Sequence, residues 1–244
     1  MNNNEFIPDA LDEEFIPNKN LTICKYMDFL KFMSLFHYEK LYFSRADRFQ
    51  DKMEGKIPEA FFNNFSTTEK IAYEKIHKSY KEHKTKTYIS CWSEFHEESY
   101  AMWQIYSKTY GLAIQTTVEK LEKALISSHA IIRKVKYIDY NSKDEMIEVP
   151  MAPSDGTDNL RRNFFVIKPK FYEYEKEIRA IIVSKEEELY QEIPIDLNFL
   201  IDEIIISPFA SRWAADLIKD LVWNRFGFKN ISIFDSGVEV RRYK

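Results

Sequence analysis

The chain has 244 residues, 45% of them hydrophobic, and carries 35 basic against 39 acidic side chains for a net charge of −4. That composition excludes a disordered polymer, and the charge balance gives no global pull toward nucleic acid or anionic membranes. Only five glycines are present, and neither Gly-x-Gly-x-x-Gly nor Gly-x-x-x-x-Gly-Lys-Ser/Thr occurs, so both glycine-rich phosphate cradles are excluded.

Residues 1–20 are polar and acidic, carry Pro8 and Pro17, and read as a tail or strap preceding a single domain over residues 21–244. They lack the basic-then-apolar order of a signal peptide, and no apolar run approaches the roughly 18 residues a membrane helix needs. Two cysteines, Cys24 and Cys91, are expected as free thiols in a cytoplasmic protein.

After Ile23-Cys24-Lys25-Tyr26, the apolar spacing predicts a helix over Asp28–Phe36. A strand is predicted at Leu41–Ser44, then a charged loop at Arg45–Gly55, a helical stretch at Pro58–Phe65, and a helix opened by the capping box Ser66 to Glu69. Thr87–Trp92 reads as a strand, Glu97–Thr109 as a helix, Gly111–Thr116 as a strand, Val118–Ile126 as a helix and Ala130–Tyr140 as a strand. Residues 141–157 carry Pro150, Pro153 and Gly156 and read as a loop, followed by a helix over Asp158–Val166. A strand is predicted after Pro169 and another at Glu203–Ser207. A helix follows over Ser211–Phe226, and a terminal hairpin of Ile231–Phe234 with Val238–Arg242 is built around Asp235-Ser236-Gly237. The interleaving is not a clean βαβ alternation. It predicts an α+β fold with a mixed, mostly antiparallel sheet flanked by helices.

Four stretches hold candidate chemistry. In Ser90-Cys91-Trp92-Ser93, a strand places Ser90 and Trp92 on one face and Cys91 and Ser93 on the other, which suits an aromatic floor with hydroxyl donors. Core packing is the commoner use of such a tryptophan. Trp103 and Tyr106 form a helical stripe in which Tyr106 stacks on a planar ring or simply packs. Arg45 leaves a strand into a loop and can grip a pyrophosphate bidentately, although solvated surface is the ordinary role of such a charge.

The fourth stretch is FYEYEKEIRAIIV, residues 171–183, with Glu173, Glu175, Glu177 and Arg179 at alternate positions. As a strand it lines these side chains along one face, with successive glutamates about 7 Å apart. One carboxylate can then stabilise a developing oxocarbenium ion while the next positions an acceptor, with Arg179 balancing their charge. As a helix the same residues form the pairs Glu173/Glu177 and Glu175/Arg179; the β-branched run Ile181-Ile182-Val183 favours the strand. The five histidines show no metal-ligand spacing, and a nuclease built on Asp51, Glu54 and Glu175/Glu177 has no support from spacing.

Taken together, Lys25-Tyr26, Phe49-Gln50-Asp51-Lys52-Met53-Glu54, Cys91-Trp92-Ser93, Met102-Trp103-Gln104-Ile105-Tyr106 and Tyr174-Glu175-Lys176-Glu177-Ile178-Arg179 resemble the ordered motifs of a widespread bacterial family of unknown function. Gln50 stands where that family usually has Asn, and Lys25 where an aromatic residue or Arg is common. The family's layout in turn is distantly similar to ADP-ribosyltransferases, which bind NAD without a glycine-rich loop. That resemblance implies an ADP-ribosyltransferase-like fold and an enzyme using NAD as substrate, of the toxin or phage-defence effector kind. It implies an acceptor that is a nucleic acid or protein, a possible antitoxin partner, and no membrane association. On it, Glu177 is the catalytic carboxylate and Glu175 positions the acceptor. Ser90 and Ser93 shape the nicotinamide pocket, Arg45 meets the pyrophosphate, Tyr106 or Trp92 stacks on a ring, and Tyr26 and Arg179 complete the NAD-binding set. The alternatives are a non-catalytic binding or regulatory module and a metal-dependent nuclease.

Overall fold

A computed structural model of the chain describes residues 14–49, 83–140 and 165–239. Nine strands form one mixed, mostly antiparallel sheet with helices on its faces. In chain order they begin with β1 (Thr22–Met27), β2 (Lys40–Arg45), β3 (Thr87–Glu94), β4 (Leu112–Thr117) and β5 (Ile131–Lys134). After β6 (Lys136–Ile138) and β7 (Ile167–Pro169), which pair in parallel as a separate ribbon, come β8 (Glu177–Val183), β9 (Tyr190–Pro194), β10 (Glu203–Ile206) and β11 (Ser232–Asp235). The path across the sheet is β11-β10-β4-β1-β3-β2-β9, and β8 pairs with both β3 and β5.

Strand β3 is the hub. One of its edges pairs with β8 along its length, from Thr87↔Val183 to Ser93↔Glu177. The other edge is shared: β1 holds its end through Cys24↔Ser93 and Ile23↔Glu94, and β2 holds its start through Ser44↔Ile89 and Arg45↔Tyr88. Between those two pairings, at Ser90–Trp92, the sheet forks.

The side-chain period of two sorts the hub residues. Tyr88, Trp92, Ile178, Ala180 and Ile182 face the main core. That core is closed by α1 (Phe29–Tyr38), α2 (Val118–Ala124), α3 (Leu197–Leu200) and α4 (Arg212–Asp220). Helix α1 is started by Asp28, whose side chain accepts from the Lys31 N–H at 2.9 Å, and is stopped by Glu39 in the left-handed region at φ 50°. It buries Phe32, Leu35 and Phe36, each contributing about 1.5–3 kcal/mol of burial. On the opposite face Ile89 and Ile181 pack with Phe15, Phe165 and Val166 in a smaller core.

Several expectations are corrected. The strand predicted from residue 171 begins at Glu177; Lys170–Glu175 is a 3-10 helix, and Lys176 turns in the left-handed region at φ 43°. The predicted helix over Glu97–Thr109 is a single turn at Tyr100–Met102 that widens into a π-helix at Trp103–Ser107. The strand predicted over Ala130–Tyr140 breaks at Val135, whose N–H donates to the Glu177 carbonyl at 2.9 Å, and the halves join different sheets. Strand β11 runs parallel to β10, because α4 supplies the crossover that a parallel pair needs; most of the second strand expected at Val238–Arg242 lies outside the described residues. Strand β9 and helix α3 were not expected at all. The expected helices at residues 58–65, 66–84 and 158–166 and the loop at 141–157 lie wholly or almost wholly outside the described residues. Of the expected tail, residues 14–20 are described, and Phe15 there is fully buried.

Candidate functional site

The charged cluster is assembled by the start of β8. Strand geometry alone would leave Glu175 and Glu177 side by side along one row. The left-handed turn at Lys176 instead folds Glu175 back on the end of the 3-10 helix, and the Lys176 carbonyl accepts from the Glu94 N–H at 2.8 Å to hold the turn against β3. Both carboxylates then meet the ammonium of Lys168 on β7, at 2.5 Å for Glu175 and 3.5 Å for Glu177. Arg179, two residues along the same face of β8, gives Nη2 to Glu177 Oε2 at 2.7 Å and Nη1 to the Phe165 carbonyl.

Tyrosines complete the enclosure. Tyr106 donates its hydroxyl to Glu175 Oε1 at 2.8 Å from the π-helix, an irregular turn that often marks functional sites. The Tyr137 oxygen accepts from the Glu177 N–H at 2.8 Å, and the Lys168 ammonium lies 4.5 Å from the Tyr172 ring centroid. Ser93 is directly across the ladder from Glu177, and Cys91 from Arg179.

Burial is deep, with side-chain exposures of 4% for Glu175, 7% for Glu177, 7% for Lys168 and 0% for Arg179. Burial by itself would raise the Glu177 pKa, but Arg179 and then Lys168 outweigh it and bring it down to about 2. Lys168 is likewise opposed by burial, yet Glu177 and Glu175 raise its pKa above the usual lysine value. Burial, then Glu175, push the Tyr106 phenol up; burial, then Glu177, push the Cys91 thiol up. Tyr106 and Cys91 therefore stay protonated, and Glu177 is a carboxylate at neutral pH.

The structure thus brings together Glu175, Glu177, Arg179, Ser93 and Tyr106. Tyr106 meets the pair through its hydroxyl, not through ring stacking. Tyr26 shares that face of the sheet but packs its ring edge-on to Trp103 at 4.8 Å and accepts from the Ser99 N–H at 3.2 Å. Ser90 and Trp92 face the main core on the opposite side. Arg45 is five residues away along the ladder, beside Tyr88, and is paired with Asp47 at 2.7 Å. Sequence reasoning missed Lys168 and Tyr137, because the parallel β6–β7 ribbon that makes them register partners is a pairing between distant stretches of the chain. No group of three or more His, Cys, Asp and Glu side chains with metal-holding geometry occurs among the described residues; Asp51 and Glu54 lie outside them.

Residues 102–180 match a family described as protein of unknown function (DUF2971). The DUF2971 match contains the Met102–Tyr106 and Tyr174–Arg179 motifs, and so holds Tyr106, Tyr137, Lys168, Glu175, Glu177 and Arg179 of the cluster. No curated protein and no solved structure matches the chain. Among the described residues no helix is long and apolar enough to cross a membrane.

Proposed function

We propose that the protein is an ADP-ribosyltransferase that takes NAD as substrate and modifies a macromolecular acceptor, a nucleic acid or a protein. The observation that carries this reading is the Glu177 carboxylate: buried, ionised, and held by Arg179 and Lys168 next to Glu175. A fixed negative charge in a low-dielectric site stabilises a ribosyl cation far better than the same charge in water.

In this chemistry the bond between ribose C1′ and the nicotinamide nitrogen breaks, and its electron pair leaves with nicotinamide. An acceptor oxygen or nitrogen then bonds to C1′. Glu177 faces the developing positive charge, and Glu175, oriented by Tyr106, receives the acceptor's proton. A second reading is favoured by one observation: Lys168, Arg179 and Tyr106 already satisfy both carboxylates, as a purely structural charge cluster in a binding module would have it.

The test is nicotinamide release from NAD in the presence of cell lysate, for wild type and Glu177→Gln. Release by wild type, lowered about 100-fold or more in a Glu177→Gln protein that still melts cooperatively, supports transfer chemistry. No release from folded wild-type protein overturns it and leaves the binding module.

A further inference from the structure

The fork in the sheet carries groups that the glutamate cluster does not use. Among the described residues the β3 edge at Ser90–Trp92 has no strand partner, because β1 separates from it after Cys24 and β2 joins only at Ile89. Lys25 of β1 reaches across. Its ammonium donates to Ser90 Oγ at 3.1 Å and to the Cys91 carbonyl at 2.7 Å, and it lies 5.5 Å from the centroid of the Trp92 ring.

Both acceptors of Lys25 are neutral, and it forms no ion pair among the described residues. Lys25 is half-buried, and an ammonium partly withdrawn from water without a counter-charge loses solvation that neutral acceptors restore only in part. Burial accordingly draws the Lys25 pKa down to about 8, with Lys31 adding to the fall while Cys91 and Glu177 oppose it. Beside it, Trp92 is 1% exposed and its indole N–H finds no acceptor among the described residues. A buried donor without a partner is itself destabilising. A half-buried cation with no ion-pair partner among the described residues and an unsatisfied N–H lie on the same face of the sheet, and one ligand type answers both: an oxyanion.

We propose that the fork is an anion-recognition site in which Lys25 and the Trp92 indole N–H take oxygens of a phosphate or carboxylate group. The site is on the sheet face opposite Glu175 and Glu177, and it does not depend on the transferase reading. Its neutral acceptors, Ser90 Oγ and the Cys91 carbonyl, keep two of the three ammonium hydrogens directed at β3 and leave the third for the ligand.

The experiment is a titration of full-length protein labelled with carbon-13 and nitrogen-15, with inorganic pyrophosphate, phosphate and acetate as separate probes. The Trp92 indole N–H signal is assigned through its loss in Trp92→Phe. We expect the Trp92 indole and Lys25 ε-carbon signals to move together and saturably, and a rise in Tm that Lys25→Met abolishes and Lys25→Arg retains. Movement with pyrophosphate or phosphate but not acetate identifies a phosphate site, and the reverse a carboxylate site. A titration in which only exposed lysines respond overturns the proposal, as does an equal Tm rise in Lys25→Met. Should Lys25→Met fail to fold, the wild-type titration alone decides.

Discussion

Arg179 is fully buried and pairs with Glu177 at 2.7 Å. Removing Arg179 leaves the buried Glu177 carboxylate with only the more distant Lys168 ammonium at 3.5 Å, and breaking a buried pair costs more than the pair itself contributes. Arg179→Met is therefore expected to destabilise the fold by about 3–5 kcal/mol, measured by denaturant unfolding. An effect below about 1 kcal/mol would mean that water reaches the cluster. The same pair sets an acid limit. The folded pKa of Glu177, about 2, lies below the ordinary glutamate value of 4.5, so its contribution is fully present above about pH 4.5 and is lost as pH falls toward 2. Stability should fall across that window in wild type, and the Glu177→Gln curve should lack this component.

At the scale of elements, the π-helix and the strand after it depend on one close approach. A Cβ on Gly111 would sit 2.2 Å from the Met27 carbonyl oxygen and 2.3 Å from that of Ser107. Both are backbone atoms, so β1 or the π-helix must move to admit a methyl group. Gly111→Ala should lower stability by about 1–3 kcal/mol or more. Because the π-helix carries Tyr106, the change should also loosen the Tyr106–Glu175 hydrogen bond, and the Tyr106 hydroxyl should exchange faster by NMR. An unchanged Tm would show that β1 and the π-helix yield at little cost.

At the scale of the molecule, stability is graded from the hub outward. Strands β3 and β8 pair over seven positions and are covered on both faces, whereas β9 and β11 are edges with one partner each. Amide hydrogen exchange should be slowest at Ile178–Ile181, where β8 is paired on both edges, and faster by orders of magnitude at Tyr190–Ile193 and Ser232–Asp235. Equal protection of hub and edges would contradict this grading. Glu177, Arg179 and Ser93 are then set in the least mobile part of the fold, as a preorganised charge requires.

What the sequence determined by itself is local. Asp28 before an apolar stripe was enough for α1, and the alternation of Ser90 with Trp92 was enough to put them on the face away from Cys91 and Ser93. The apolar run Ile178–Val183 was enough for β8. The candidate pair Glu175/Glu177 with Arg179 was legible as well, because charges beside a buried β-branched run are unusual on any strand. The tertiary structure decided the rest. No local signal distinguishes a strand beginning at Phe171 from a 3-10 helix that turns at Lys176, since the turn is held by the Glu94 N–H of β3. Edge strand β9 hides because half-exposed positions need no alternation. Lys168 and Lys25 look like any surface lysine in the sequence. Their placement follows from the strands they are paired with and the fork between β1 and β2, and long-range pairing is written in no single stretch of the chain.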